Sequence, residues 1–289
     1  MTRRDGGTSW TKRARAAAMG VATIVMALTI GGLAATPTHA EISDPLATGA
    51  AGTPIEIQAE DGIEWRRNEN VYVARGNATV RRGDLLVHAD SLTAHYRKRA
   101  GGGSEIWLVE AAGHVTISSP GRTVQGDKAV YDLDDRVLRV TGEGLRITTD
   151  EEIVTAEDSL EYRERERTVI ARGNATVAQG ERRVRADTMV GFFEQLADKS
   201  LELVRVTADG NVQLKTKNTI ARSAKADYDL RAEIVTLGGG VKVTSDENQL
   251  NGDNAEVNLK TGVSRLLGGA DGSGKVKSLI IPSAEPNAP

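Results

Sequence analysis

An all-β protein assembled from repeats is the fold class the sequence predicts, on three observations. The heptapeptide Ala74-Arg75-Gly76-Asn77-Ala78-Thr79-Val80 returns letter for letter as Ala171-Arg172-Gly173-Asn174-Ala175-Thr176-Val177, 97 residues later. In the same gapless register Asp90 meets Asp187, Tyr96 meets Phe193, Ile106 meets Leu203, Val109 meets Val206 and Gly113 meets Gly210. After each repeat glycine, apolar and polar letters alternate with period two, the spacing of a strand that buries one face.

That glycine followed by alternation recurs at Gly76, Gly113, Gly144, Gly173, Gly210 and Gly239. About six modules of roughly 30 to 37 residues result, and such modules stack so that each buries its apolar face on its neighbours. The chain has 289 residues, with 3% aromatic residues and no cysteine. Disulfides, thiolate metal sites and cysteine catalysis are therefore excluded. Stability has to come from aliphatic packing and backbone ladders.

Along the chain, residues 1–40 have the order of a signal peptide: Arg3, Arg4, Lys12, Arg13 and Arg15 precede an apolar run from Ala16 to Ala35, which ends in Thr38-His39-Ala40. The run is long enough for a retained anchor, but the small residues at Thr38 and Ala40 favour cleavage after Ala40. Arg3-Arg4 resembles a twin-arginine signal, yet Asp5, Gly6 and Gly7 stand where that signal needs apolar residues. The body is expected in the periplasm. Without residues 1–40 it carries 32 Lys and Arg against 39 Asp and Glu, a net charge of −7. An acidic body without stacking aromatics excludes a nucleic-acid partner.

Residues 41–53, rich in Ala, Gly, Thr and Pro, form a flexible leader. A first β unit is expected over 54–150, a second, continuous with it, over 151–281, and a polar tail over 282–289. In the first module Ile55-Glu56-Ile57 opens a strand, Val71 to Ala74 forms the next, the chain turns at Gly76, and further strands run to Val80 and from Leu85 to Ala89. The alternation places the pairs Ala78/Val80, Val115/Ile117, Leu145/Ile147, Ala175/Val177, Val212/Leu214 and Val241/Val243 on one inward face, making an almost wholly aliphatic interior.

A second recurrent phrase appears as Asp127-Lys-Ala-Val-Tyr-Asp-Leu133, Ala224-Lys-Ala-Asp-Tyr-Asp-Leu230 and Asp253-Asn-Ala-Glu-Val-Asn-Leu259, with looser copies at Asp90, Asp158 and Asp187. Ala224 at the Asp position and the lack of dense Asp-Gly runs argue against calcium and for Asx-type turns at strand ends. Gly269 to Lys275 fits seven positions of a phosphate-binding loop, but Val276 replaces the required Ser or Thr and a strand follows instead of a helix. The Asn77 and Asn174 sequons suit turn residues. His88, His95 and His114 form no metal-ligating pattern, and no nucleophile stands beside a base. The chain reads as a non-enzyme without metal or cofactor.

The run Val71-Tyr-Val-Ala-Arg-Gly-Asn-Ala-Thr-Val80, followed by Val87-His-Ala-Asp90-Ser-Leu-Thr-Ala-His-Tyr96, resembles the OstA-like, LptA-type family of lipopolysaccharide transport proteins. The resemblance covers about Ile55 to Ile281. It implies a repetitive antiparallel β jelly roll, twisted and open as a V-shaped trough, which holds lipopolysaccharide by its lipid A acyl chains. It also implies head-to-tail self-association and end-to-end contact with related β domains of inner- and outer-membrane transport components. The twelve alternating residues named above then line the trough, whereas in a closed jelly roll they pack on each other as a dry core; Arg81-Arg82 and Arg182-Arg183 read as solvated strand ends, with phosphate contacts at the rim as the alternative. The alternatives are a membrane-anchored or translocon-associated member of the same family, a secreted β scaffold or adhesin without lipid, and a polysaccharide-active enzyme. For the enzyme, carboxylates would have to converge in a cleft. Strand edges near Ile55 to Ile57 and Val276 to Ile281 are the expected contact points.

Overall fold

The computed structural model describes residues 55–99, 102–197, 200–245, 248–261, 263–268 and 276–279. The expected signal peptide, leader and tail, the 269–275 loop and Ile280 to Ile281 lie outside these residues. The strands of the first half are β1 (Glu56–Gln58), β2 (Gly62–Arg66), β3 (Val71–Arg82), β4 (Leu85–Lys98), β5 (Ser104–Ser119), β6 (Arg122–Asp132), β7 (Val137–Thr141) and β8 (Arg146–Thr149). Next come β9 (Ile153–Thr155), β10 (Ser159–Arg163), β11 (Thr168–Gln179), β12 (Arg182–Gln195) and β13 (Leu201–Lys215). The chain continues through β14 (Thr219–Asp229), β15 (Ile234–Ser245), β16 (Asn248–Asn258), β17 (Val263–Leu267) and β18 (Lys277–Leu279). No helix occurs among the described residues.

The long strands are interrupted halfway by register shifts, so one 18-stranded sheet divides into two antiparallel ladders. The β1 ladder takes β1, one half of each of β3 to β6, then β8, β9, one half of each of β11 to β16, and β18. The β2 ladder takes β2, the other halves, β7, β10 and β17. Both ladders run through residue 150 without a break, across β8–β9 in one and β7–β10 in the other. The halves share their geometry: β3 and β11, β4 and β12, and β6 and β14 are pairwise equal in length and begin 97 residues apart.

The structure corrects the expected turn at Gly76. β3 is a single strand from Val71 to Arg82, and its chain reversal comes at Gly83-Asp84. Gly76 (φ 75°) and Asn77 (φ 44°) together oppose Asp90, because Arg75 pairs with Ser91 and Ala78 with Ala89. Two residues against one make a β-bulge, which bends a strand without reversing it. A side chain at Gly76 would meet the Asp61 carboxyl at 2.6 Å, so glycine answers both the left-handed backbone and the close approach. Equivalent bulges sit at Gly113-His114, Gly173-Asn174, Gly210-Asn211 and Gly239-Gly240.

The recurrent aspartates are corrected in the same way. Asp90, Asp127, Asp158 and Asp187 fill the spaces left by Gly113, Gly142, Gly173 and Gly210 on the neighbouring strand, and Ala224 does so for Gly239. Asx turns are instead built by the later members of the phrase. Asp132 accepts from the Asp134 and Asp135 amides, Asp229 from Ala232 and Asn258 from Thr261.

Candidate functional site

Side chains alternate across a strand, so one face of each ladder points into the common interior. In the β1 ladder one cross-strand row reads Ile57, Val80, Val87, Ile117, Val124, Ile147, Val154, Val177, Val184, Leu214, Ala221, Val243 and Leu250. No polar residue interrupts it over thirteen strands. At about 4.8 Å per strand it extends for roughly 58 Å. A second row at the level of the bulges contains Ala78, Val115, Leu145, Ala175, Val212 and Val241.

The twelve sequence-predicted residues thus fall on one face of one ladder, in two neighbouring rows. They differ in accessibility. The six at the bulges are at most 1% exposed. Of the others, Val80, Ile147 and Val177 are half-buried, while Ile117, Leu214 and Val243 are buried. The bulge residues form the floor where the ladders meet, and the other six stand one row farther from the bulges.

The opposing wall belongs to the β2 ladder. Its inner rows include Tyr131, Leu138, Tyr162, Val169, Tyr228, Val235 and Val257, and nearer the bulges Leu92, Ala111, Ala129, Val140, Leu160, Met189 and Leu237. One apolar cluster joins this wall to the β1 ladder. The expected aliphatic interior is corrected here, since Tyr162 and Tyr228 are buried in it and Tyr131 packs against it. The period-two pattern in Val130-Tyr-Asp-Leu133 carried the signal for this wall, but the repeat-glycine criterion selects only segments that follow a bulge.

Polar groups collect at the margins. Arg82 and Arg182 share the inward side of their strands with Val80 and Val184, at the strand ends, and the buried Arg82 Nε has no hydrogen-bond partner among the described residues. Arg81 and Arg183 point outward. His95 Nε2 lies 3.0 Å from Glu110 and His114 Nδ1 lies 2.9 Å from Asp90, while His88 shares β4 with His95. The outer face of the β2 ladder is laced with ion pairs. Buried Glu161 receives Arg139 at 2.9 Å and also binds Arg163. Burial pushes the Glu161 carboxyl up, but the bonds from Arg163 and Arg139 outweigh it and hold the group below the usual carboxylate range. Among the described residues the inner rows are dominated by apolar side chains.

At the chain ends the apolar surface continues into solvent. Ile57, Ile63 and Trp65 are exposed on the inner rows of β1 and β2, whereas the exposed Val263 and Leu267 of β17 pair with Asn258 and Asn254 and stand on the outer face. Trp65 stacks on Tyr72 at 5.6 Å and donates to the Tyr96 hydroxyl at 2.9 Å. Among the described residues no helix is long and apolar enough to cross a membrane.

Comparison with known proteins gives three findings. No curated protein matches the chain. Among solved structures, LptH, the LptA homologous periplasmic component of the conserved lipopolysaccharide transport device from Pseudomonas aeruginosa, is similar at 14% identity and a TM-score of 0.20, over 80% of this chain and 96% of that one. A family model described as LptA/(LptD N-terminal domain) LPS transport protein matches twice, over residues 56–158 and 154–263. These two matches together span most of the chain, which belongs to the LptA/LptD N-terminal family of lipopolysaccharide transport proteins.

Proposed function

We propose that this family member carries lipopolysaccharide across the periplasm by holding its acyl chains between the two ladders. The observation that carries the reading is the unbroken apolar row of the β1 ladder from Ile57 to Leu250. Each methylene removed from water contributes about 0.8 kcal/mol, so an acyl chain of a dozen methylenes needs about 10 kcal/mol of apolar contact to leave a bilayer. Only a continuous lining supplies that without intermediate exposure. Acyl chains rest first on the half-buried residues Val80, Val87, Val124, Ile147, Val154 and Val177. Contact with the floor at Ala78, Val115, Leu145, Ala175, Val212 and Val241 requires the ladders to part. Arg82 and Arg182 at the rim suit the phosphates of the same molecule.

Transfer between membranes needs the lining to continue into a neighbour. Among the described residues the terminal strands β1, β2, β17 and β18 each have a registered partner on one side only, and exposed apolar side chains lie beside them. Strand addition at these edges would join related β domains of inner- and outer-membrane components, or further copies of this chain, head to tail. Such contacts need not close into a ring.

The test compares Val177→Lys with Thr176→Lys, neighbours on opposite faces of β11. Native mass spectra after gentle extraction should show bound lipopolysaccharide on the wild type and on Thr176→Lys, and none on Val177→Lys. Equal loss in two folded variants would overturn the inward assignment.

A further inference from the structure

On the outer face of the β1 ladder the second half of the chain forms a concavity of about 670 Å³. The bulges at Asn174 and Asn211 border it, and one cross-strand row runs through it as Arg185, Gln213, Arg222 and Lys242. The three cations are exposed. No ion pair among the described residues neutralises them, although Arg185 donates from Nε to the uncharged Asn174 Oδ1. Asp187 is the one lining carboxylate, and it accepts from Asn211 Nδ2 at 2.9 Å.

The corresponding place in the first half is built differently on the same backbone. By register its row is His88, Thr116, Gln125 and Arg146, flanked by two carboxylates, Asp90 and Asp127. The second half has exchanged one of these carboxylates for Ala224 and gained two cations. Neither exchange serves the bulge, which forms in both halves.

We infer that this concavity binds a phosphorylated saccharide. Strand spacing sets Arg185 about 10 Å from Arg222, and Arg222 about 5 Å from Lys242, a separation that phosphates on opposite sides of a sugar ring can bridge. Gln213 stands between Arg185 and Arg222, and the bulge residues Asn174 and Asn211 border the concavity, so that their side-chain amides offer donors and acceptors to ring hydroxyls. The volume falls within the range of small-ligand sites. A bilayer surface fits less well, because the exposed large apolar side chains lie elsewhere and the lining has none to insert. The site is on the opposite face of the sheet from the apolar rows, so its ligand is a separate molecule from any acyl chain held between the ladders.

Titration calorimetry of the full-length mature chain with glucose 1,6-bisphosphate tests this. Binding is expected, weakening as salt rises, with no heat from glucose. Inorganic phosphate should bind at least about tenfold more weakly, since it satisfies one cation cluster only. Arg222→Gln/Lys242→Gln should weaken binding by about tenfold or more. Ala224→Asp, which restores the residue type of the first half, should weaken it several-fold without loss of fold, and Val177→Lys should leave it unchanged. Absence of binding, or equal affinity in the double variant, would overturn the assignment. So would binding of phosphatidylglycerol vesicles or an acidic peptide, lost in the double variant, by a protein that ignores the sugar bisphosphate.

Discussion

The two halves of this molecule share a backbone and diverge on its surfaces. The strands β3 and β11 carry the same heptapeptide, bend at the same glycine-asparagine bulge and bury Ala78 and Ala175 completely. Around the inner rows the halves begin to differ. Val87 and Val124 of the first half are half-buried whereas their counterparts Val184 and Ala221 are buried, while Val80 and Val177 are both half-buried and Ile117 and Leu214 both buried. On the outer face of the β1 ladder they part further, with the two carboxylates Asp90 and Asp127 in one and, in the other, three cations that form no ion pair among the described residues. The bend is what the duplication preserves, since every strand must pass the same corner. Side chains that do not build the corner itself differ between the halves.

Breaking the corner should cost most. Ala at Gly210 would have to adopt a φ near 77° and meet the Asp187 carboxylate at 2.2 Å. A loss of about 3 kcal/mol is expected, from left-handed strain plus the steric clash. Ala at Gly240 has a φ of 83° but nothing within 4 Å, so only the backbone term of about 1–2 kcal/mol should appear. Thermal or denaturant unfolding of the two variants separates these contributions. Equal losses would show that the aspartates do not matter to the bulge.

The asymmetry of the interior predicts a smaller difference. Val184→Ala should cost about 2 kcal/mol, while Val87→Ala, half-buried at the counterpart position of the first half, should cost about 1 kcal/mol. If the order reverses, the second half is not the better-packed one.

The outer ion pairs of the β2 ladder sharpen the contrast with the bare cations of the β1 ladder. Glu161→Gln removes the acceptor of Arg139 and Arg163 and should cost about 1–2 kcal/mol at neutral pH, reduced because both arginines are partly exposed. The folded carboxyl titrates below its unfolded value, so its contribution is full above the ordinary glutamate range and is lost as pH falls through the folded pKa. Stability curves of wild type and variant should therefore converge in acid. A gap that stays constant with pH would mean that packing, not charge, is lost.

Much of this was legible in the residues. Alternation after the repeat glycines located the inward face of the β1 ladder, because valine, isoleucine and leucine at period two leave little ambiguity about which side is buried. The opposing wall was harder to read. Its rows mix Ala129, Ala111 and Gly191 with Tyr131 and Tyr228, and small residues beside amphipathic ones carry a weak hydropathy signal. Gly76-Asn77 indicated positive φ but not whether the chain reverses or only bends. That depends on the partner strand, since both segments of β3 keep β4 as neighbour. The odd Ala224 set the recurrent phrase apart from a calcium repeat in the sequence, while its place opposite Gly239 emerged only from the pairing of β14 with β15.

Photo-crosslinking residue by residue tests the central claim most directly. Photoreactive side chains placed at Val80 and Val177, and at their outward neighbours Thr79 and Thr176, would be irradiated with lipopolysaccharide bound. Acyl chains held between the ladders predict adducts at Val80 and Val177 and none at Thr79 or Thr176. Adducts confined to the threonines, or equal at all four positions, would contradict it.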